Sequence, residues 1–405
     1  MSEIPDHQLL DYIVCTNTPW NGRNCEPSAI QFQDGRLLLI WSCWTTGSGA
    51  DHEQAEIRAK ISEDKGATWS DSFLWQGRRH YRAVEHSALA WLPSGKLGMT
   101  YMARLAELHE GQEWVHQAVL SFFKKSDDEG ETWSEPKLMN PTGVNTTVPW
   151  WDRLRVSQSG RLITAASSWW RDLCFQERDQ QDRSNVYTLF SDDEGETWKN
   201  SNGISVEQGD NYKQASEASI EQFSDGAWIM TIRNATGRAF KSYSEDDGET
   251  WSRPEPAALA ASNSPIVVRL IPGTDDLLTI WNQVSNEEIL NGHNRHRLST
   301  AISSDKGITW HHFRNLESQD ACTHIELEPP TELPLARRED LSEHWPSLKQ
   351  EETDFELTGS NYINCSYPSV LFFEDLAHIA YDAGGYGVES GLKLRRMPVG
   401  WFYDG

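Results

Sequence analysis

Apolar and polar residues alternate in short segments along most of the chain, and these segments come in pairs on either side of a turn. "EPSAIQFQDGRLLLIWS", from Glu26, is one such pair, and "EASIEQFSDGAWIMTIR", from Glu217, is another. Alternation with a period of two on both sides of a Gly or Asp turn predicts a β-hairpin. The six predicted hairpins start at Glu26, Glu85, Asp152, Glu217, Ser264 and Tyr367.

An eight-residue segment follows most of these hairpins. "SDDEGETW" occurs at residues 126–133 and again, letter for letter, at 191–198, and looser copies begin at residues 62, 244 and 303. In this Asp box the Asp can accept backbone N–H bonds, the Gly can adopt a positive φ, and the Trp can pack between sheets. An element that is repeated five times is predicted to be structural rather than catalytic. The Asp residues predicted to clamp these turns are Asp64, Asp128, Asp193, Asp246 and Asp305.

Each unit therefore consists of a hairpin, a third strand, a box and a short fourth strand, except that the last unit has no box. Successive boxes are 64, 65, 53 and 59 residues apart, which suits four-stranded sheets with loops of variable length. Radial repetition of such sheets predicts an all-β fold, a six-bladed β-propeller with five Asp boxes, as a single domain over residues 1–405. The acidic, Pro-containing stretch 314–362 is predicted to be a long loop insertion, and "LLDYIVC" is a spare strand that could close the ring.

Composition narrows the classes of partner. Lys and Arg total 36 against 61 Asp and Glu, a formal charge of −25, which argues against nucleic acid or an anionic membrane as a partner. The six cysteines contain no CxxC pair, so neither a metal knuckle nor a disulfide framework is expected. No cofactor and no metal are predicted. Without a signal-peptide pattern the chain as written is expected to be cytoplasmic, or secreted or periplasmic if a leader has been removed.

Topology predicts where the functional residues lie. Hairpin turns and box turns share one face of a propeller, so the starts of first and third strands and the ends of second strands share the other, at the mouth of the axial channel. The polar residues at these positions are Glu26, Glu85, His86, Asp152, Arg153, Glu217, Asn263, Tyr367, Arg233, Arg295 and Arg297.

Five Asp boxes on this strand pattern resemble the sialidase (neuraminidase) superfamily, and the resemblance covers nearly the whole chain. Sialidases carry a Glu nine residues before a hairpin Gly and an Arg seven residues after it, the spacing of Glu217, Gly226 and Arg233. The resemblance implies that Tyr367 is the nucleophile, that Glu217 is the base that activates it, and that Arg233 and Arg295 are two arms of a carboxylate clamp. A neutral phenol suits a glycoside that carries its own carboxylate, which would repel a carboxylate nucleophile.

One position departs from the family pattern. Sialidases open the first blade with Arg-Ile-Pro and use that Arg in the clamp, whereas "CEPSAI" is predicted to place Glu26 there. The missing guanidinium could come from Arg23, Arg82 or Arg153. The family's acid/base Asp precedes the first box, where this chain offers Asp51.

The expected function is a sialidase-like exo-glycoside hydrolase that removes a terminal acidic sugar, sialic acid or a related one, from a glycan with retention. Two alternatives remain open: a lyase or other glycosidase for uronate-containing glycans, with Tyr367 or His86 as base in a lyase, and a non-catalytic carbohydrate-binding propeller. Glu26, Glu85, His86 and Asp152 form a second constellation that could contact substrate, hold a divalent cation or supply a base, although a metal is not the prediction.

Overall fold

Short strands, nearly all paired antiparallel, make up almost all of the regular secondary structure among the described residues. The structure is a computed structural model that describes residues 10–46, 49, 51, 53–105, 119–140, 147–170, 183–208, 211–213, 215–318, 320–331, 333, 364–385 and 388–404. The strands alternate in burial where one face meets a neighbouring sheet, as in β4 (Ala55–Ser62), the third strand of the first unit. This is the period of two that the sequence shows.

The strands follow the chain in groups that match the predicted units. The chain begins with β1 (Leu10–Thr16), β2 (Arg23–Gln31), β3 (Leu37–Trp44), β4 and β5 (Phe73–Gln76). Next come β6 (Ala83–Trp91), β7 (Leu97–Arg104), β8 (Val119–Ser126) and β9 (Lys137–Leu138). These are followed by β10 (Thr147–Val156), β11 (Leu162–Trp170), β12 (Arg183–Ser191), β13 (Lys199–Asn200), β14 (Val206–Gln208) and β15 (Asn211–Lys213).

The second half of the chain continues the same pattern. It contains β16 (Ser216–Gln222), β17 (Trp228–Arg233), β18 (Arg238–Ser244) and β19 (Glu255–Ala260). Next are β20 (Val267–Leu270), β21 (Leu277–Asn282), the helix α1 (Asn286–Leu290), β22 (Leu298–Ser303) and β23 (His311–Glu317). The last group is β24 (Asn364–Phe373), β25 (Leu376–Gly385) and β26 (Val388–Pro398), followed by a 3₁₀ turn at Val399–Tyr403.

The strands pair into sheets that form a propeller, which confirms the predicted all-β class. β10–β13, β16–β19 and β20–β23 are four-stranded sheets in chain order, and β24–β26 complete a fourth with β1 at its edge. The predicted spare strand therefore pairs with the C-terminal end of the chain. β2–β9 form one larger sheet in which the single pair Ala55–Ala83 joins β4 to β6. The number of six blades stays a prediction, because β2–β9 pair as one continuous sheet and not as two separate ones.

Two other expectations concern regions that the structure describes only in part. The predicted insertion at 314–362 begins inside β23, and most of its remaining residues lie outside the described residues. The single-domain organisation therefore stays a prediction. No helix among the described residues has both the length and the apolar character needed to cross a membrane.

Apolar cores lie between successive sheets. Phe123 of β8 shares one cluster with Leu162 of β11. Val14 of β1 and Leu394 of β26 share another with Leu39 of β3, so the last sheet packs against the first. Each fully buried side chain of this size contributes about 1.5–3 kcal/mol, and these contacts hold the ring closed.

The Asp boxes have the structure that their sequence predicts. In one box, Asp193 Oδ1 accepts hydrogen bonds from Ser191 Oγ at 2.7 Å and Thr197 N at 2.8 Å, and its Oδ2 accepts one from Thr197 Oγ1 at 2.6 Å. The other four boxes repeat these three bonds. The Asp carboxylates are thereby occupied in turn formation, as expected for scaffolding.

The box glycine also meets the preceding unit. Gly195 has a φ of 85°, and a Cβ at this position would lie 2.0 Å from Phe123 of β8. The other box glycines approach a side chain of the previous unit in the same way, and Gly66 approaches His378 of β25. The box thus needs Gly for its backbone conformation and for packing between sheets.

Candidate active site

Five first strands carry the same backbone irregularity where they begin. The pairing register shifts between Cys25 and Ser28, Glu85 and Ala88, Pro149 and Leu154, Ser216 and Ser219, and Ser366 and Ser369. One residue in each bulge has a left-handed backbone: Glu26 (φ 58°), His86 (53°), Asp152 (51°), Glu217 (44°) and Tyr367 (54°). Bulges redirect side chains, and strained non-Gly backbone clusters at functional sites. We call these five the bulge residues.

The sequence places all five bulge residues at strand starts but does not reveal the bulge. A signal was nevertheless present, because Glu26 and Tyr367 both precede Pro-Ser and Glu217 precedes Ala-Ser. The repeated small residue two positions later marks where regular pairing resumes. The bulge residues thus come from equivalent backbone positions in separate units.

Tyr367 and Glu217 converge on Arg233. Arg233 Nη1 lies 2.5 Å from Glu217 Oε2. Burial lowers the pKa of Arg233, but the negative charge of Glu217 and a contact with Tyr367 outweigh burial, and the pKa lies above its usual value. Burial and the charge of Glu217 raise the pKa of Tyr367 to about 12. The phenol is therefore neutral near pH 7 and needs a nearby base before it can act as a nucleophile.

Guanidinium groups surround the phenol. The guanidinium carbon of Arg295 lies 5.0 Å from the centre of the Tyr367 ring, and that of Arg23 lies 5.7 Å from it. Together with Arg233, these groups oppose the rise in the pKa of Tyr367. Guanidinium groups match carboxylates in a bidentate geometry that ammonium groups cannot adopt. The arrangement suits an anionic ligand.

Arg23 connects the phenol to Asp51. Its Nη1 lies 2.5 Å from Asp51 Oδ1, its Nη2 lies 3.1 Å from Glu26 Oε1, and its guanidinium stacks 4.0 Å above the Trp44 ring. Asp51 is half exposed, so it can meet a ligand at the mouth of the channel.

Asp152 and Arg153 face the interior. Arg153 is fully buried and donates hydrogen bonds from Nε to Ala218 O at 3.1 Å and from Nη2 to Ile266 O at 3.5 Å. Burial lowers the pKa of Arg153 to about 10. Asp152 Oδ2 lies 2.6 Å from Nη2 of the buried Arg269. Hydrogen bonds hold Nε and Nη2 of Arg153 in the interior, whereas Arg23 lies near the Tyr367 ring, so the placement favours Arg23 over Arg153 as the third guanidinium.

A second group lies beside Tyr367 and the three arginines around it, which we call the phenol site. It consists of Glu26, Glu85 and His86. Glu26 Oε2 is 3.0 Å from His86 Nδ1, and Glu85 Oε2 is 3.8 Å from His86 Nε2. Glu85 Oε1 pairs with Arg104 Nε at 2.6 Å. Burial raises the pKa of Glu26 and Glu85 and lowers the pKa of His86 well below its usual value. Burial therefore favours the uncharged form of each group.

Sequence reasoning missed Glu288, which fixes the loop that carries Arg295. Glu288 Oε1 accepts hydrogen bonds from Arg297 Nη2 at 2.9 Å and contacts His296 Nε2 at 3.0 Å, and it forms the capping box of α1 with Ser285. Arg295 itself donates from Nη1 to Ser366 Oγ at 3.0 Å. A capping box is visible in sequence, but these contacts between loop residues are not.

Comparisons with known proteins agree with the fold. A model of the BNR repeat-like domain family matches residues 35–379. The chain is 28% identical over 319 residues to a sialidase of Bacteroides fragilis, and the match covers 70% of this chain and 53% of that sialidase. The chain thus spans about half the length of this curated relative.

Solved structures show the same architecture. A protein of unknown function from Dyadobacter fermentans superposes with a TM-score of 0.63 at 16% identity, covering 96% of this chain and 98% of that one. The NanB sialidase of Streptococcus pneumoniae superposes with a TM-score of 0.64 at 13% identity, covering 96% of this chain and 70% of that one. At sequence identities this low, the structural similarity establishes a shared fold and nothing more.

Proposed function

The chain belongs to the BNR repeat-like family of the sialidase superfamily, and from this membership and the site geometry we propose that it is a sialidase-like glycoside hydrolase. Its substrate would be a glycan with a terminal acidic sugar, sialic acid or a related sugar acid. The observation that carries this proposal is the convergence of Tyr367, Glu217 and three guanidinium groups from several strands and one loop. The curated relative of Bacteroides fragilis is a sialidase, which supports the reaction class.

In the proposed mechanism Arg23, Arg233 and Arg295 bind the sugar carboxylate. The Tyr367 oxygen attacks the anomeric carbon while Glu217 accepts the phenolic proton, and Asp51 donates a proton to the departing glycosidic oxygen. Water then breaks the resulting glycosyl–tyrosine bond: its oxygen bonds to the anomeric carbon, it gives a proton to Asp51, and Glu217 returns its proton to the tyrosine oxygen. Two displacements at the same carbon retain the configuration.

We also propose that the propeller has six blades in a single domain. β2–β5 pair in the order of the separate four-stranded sheets, and so do β6–β9. Among the described residues, one backbone pair, Ala55–Ala83, joins the two groups. The larger sheet is therefore interpreted as two blades that pack on a shared apolar core and are linked by this pair.

Substitution of the phenol and its base tests the proposal. Tyr367→Phe and Glu217→Gln should each lower the release of acidic sugar from sialosides by at least about a hundredfold, because nucleophile and base are lost. The matched control is Tyr243→Phe, whose hydroxyl donates to Lys306 O at 2.8 Å in the box turns on the opposite face, and it should keep full activity. NMR of the first-formed anomer should show retention.

Sialosides and uronate glycans should be assayed together for reducing sugar and for ultraviolet absorbance. An unsaturated product would identify a lyase, and binding without turnover would identify a carbohydrate-binding propeller. Wild-type turnover in Tyr367→Phe would contradict the proposed nucleophile.

A further inference from the structure

We propose that Glu26, Glu85 and His86 bind a divalent transition-metal ion such as Zn²⁺ beside the phenol site. One possible ligand atom from each residue lies within 4.8 Å of the others. All three side chains are buried, with exposures of 1%, 1% and 6%.

Two atoms of this group are unsatisfied without a cation. Glu26 Oε2 and His86 Nδ1 lie 3.0 Å apart, yet neither atom makes a well-directed hydrogen bond among the described residues, although the Glu26 carboxylate also contacts Ser42. Buried polar atoms nearly always have a partner, because leaving one unpaired is costly. A cation that accepts electron pairs from both atoms would satisfy them together.

The neighbouring arginines leave one oxygen of each carboxylate available. Arg23 Nη2 holds Glu26 Oε1 at 3.1 Å, and Arg104 Nε holds Glu85 Oε1 at 2.6 Å. The Oε2 atoms of both glutamates instead face the His86 ring, at 3.0 Å and 3.8 Å from its two nitrogens. Hydrogen bonds to the outer oxygen of a ligating carboxylate orient it and are typical of metal sites. The arginines would thus hold the glutamates in position.

The donor set indicates the class of metal. One imidazole nitrogen with two carboxylate oxygens suits Zn²⁺ better than Mg²⁺, which prefers oxygen ligands alone. Ligand atoms around a tetrahedral zinc lie about 3.4 Å apart, given zinc–ligand distances of about 2.1 Å. The possible ligand atoms all lie within 4.8 Å of one another, so the side chains would close by up to about 1.4 Å around an ion, and Glu85, whose Oε2 faces the other ring nitrogen, would have to turn toward it.

The surroundings favour a rigid, dry site. Glu26 and His86 are both bulge residues, so the backbone fixes where their side chains begin. The centre of the His86 ring lies 5.0 Å from the Trp150 ring and 6.1 Å from the Trp151 ring. Such packing limits water around a bound ion and restricts the imidazole to few orientations.

Metal binding can be measured without substrate. Untagged full-length protein treated with EDTA should bind one Zn²⁺ per chain by isothermal titration calorimetry and by elemental analysis after dialysis, and Mg²⁺ should bind more weakly. Glu26→Gln and His86→Ala should each weaken Zn²⁺ binding by about a hundredfold or more. His311→Ala removes an exposed histidine outside the site and should leave binding unchanged. Thermal melts check that each variant is folded.

The outcomes separate this inference from the proposed reaction. Tyr367→Phe should retain the Zn²⁺ stoichiometry even though it loses turnover. Absence of stoichiometric Zn²⁺ binding to wild-type protein would overturn the site. Unchanged affinity in a folded Glu26→Gln, which is nearly isosteric, would also overturn it, and this variant serves if His86→Ala does not fold.

Discussion

At the residue scale, Arg23 links parts of the site that come from three strands and one loop. Its guanidinium contacts Asp51 and Glu26, stacks on Trp44 and lies near the Tyr367 ring. Arg233 approaches the same phenol from β17, and Arg295 approaches it from the loop before β22. Arg23 thereby supplies the third positive group at a site where the first-blade motif of the family is altered.

Arg23→Lys should raise KM for a carboxylate-bearing substrate by about tenfold, since an ammonium group cannot hold a carboxylate in a bidentate geometry. The corresponding fall in affinity should appear for the free sugar acid in a binding titration. Arg36→Lys is the matched control, because Arg36 pairs with Asp34 and Glu129 near the box turns. Equal affinity of Arg23→Lys and wild type for the acid would remove Arg23 from the clamp.

Sequence could predict the residues with fixed spacing, and it could not predict contacts between units. The resemblance to sialidases pointed to Glu217 and Arg233 through their distances to a hairpin glycine, and strand topology placed Tyr367 at the start of a strand. The choice among Arg23, Arg82 and Arg153 depended on which side chain points toward the Tyr367 phenol, and that depends on packing between sheets. Arg153 is drawn into the interior by carbonyl groups of other units, which no local pattern encodes.

At the element scale, the Asp box combines a turn with a contact to the preceding unit. The Asp closes the turn through Ser and Thr, while the Gly lets the neighbouring side chain approach closely. The sequence predicted the turn, because all of its bonds are local. It did not predict the contact of Gly195 with Phe123, which joins residues far apart in the chain.

Asp193→Ala should lower the free energy of unfolding by about 2 kcal/mol, since it removes hydrogen bonds to a charged group. Denaturant titration measures this loss, and the activity per folded molecule should not change. Asp127→Ala is the control, because this exposed box residue makes only a surface ion pair with Lys96. A loss of turnover in a fully folded Asp193→Ala protein would show that the box has a catalytic role.

At the scale of the whole molecule, the ring is closed by contacts between the two ends of the chain. β1 pairs with β26, and the box turn of the first unit packs on β25. There His378 Nε2 lies 3.0 Å from the carbonyl oxygen of Lys65. This hydrogen bond ties the last sheet to the first.

Protonation of His378 should make the contact between the last and the first sheet less stable in acid. Burial lowers the pKa of His378 from 6.5 to about 4, the bond to Lys65 O opposes this shift, and the charge of Arg396 reinforces it. Between these pH values the unfolded chain binds more protons than the folded chain, so the free energy of unfolding falls as pH falls. His378→Gln should flatten this part of the stability profile, measured by denaturant titration between pH 4 and 7. An unchanged slope in the variant would assign the acid sensitivity to other groups.

The left-handed backbone at the five bulge residues lowers the stability of the protein for the sake of the side chains that it positions. These residues are Glu26, His86, Asp152, Glu217 and Tyr367. Each of these conformations costs about 1–2 kcal/mol for a residue that has a Cβ, and glycine would avoid that cost. Drift without selection for turnover should therefore fill these positions with glycine or asparagine. A relative that keeps the propeller but has Gly in the place of Tyr367 and Glu217 should be more stable and should lack the activity. Glycine at these two positions would therefore identify inactive relatives from their gene sequences.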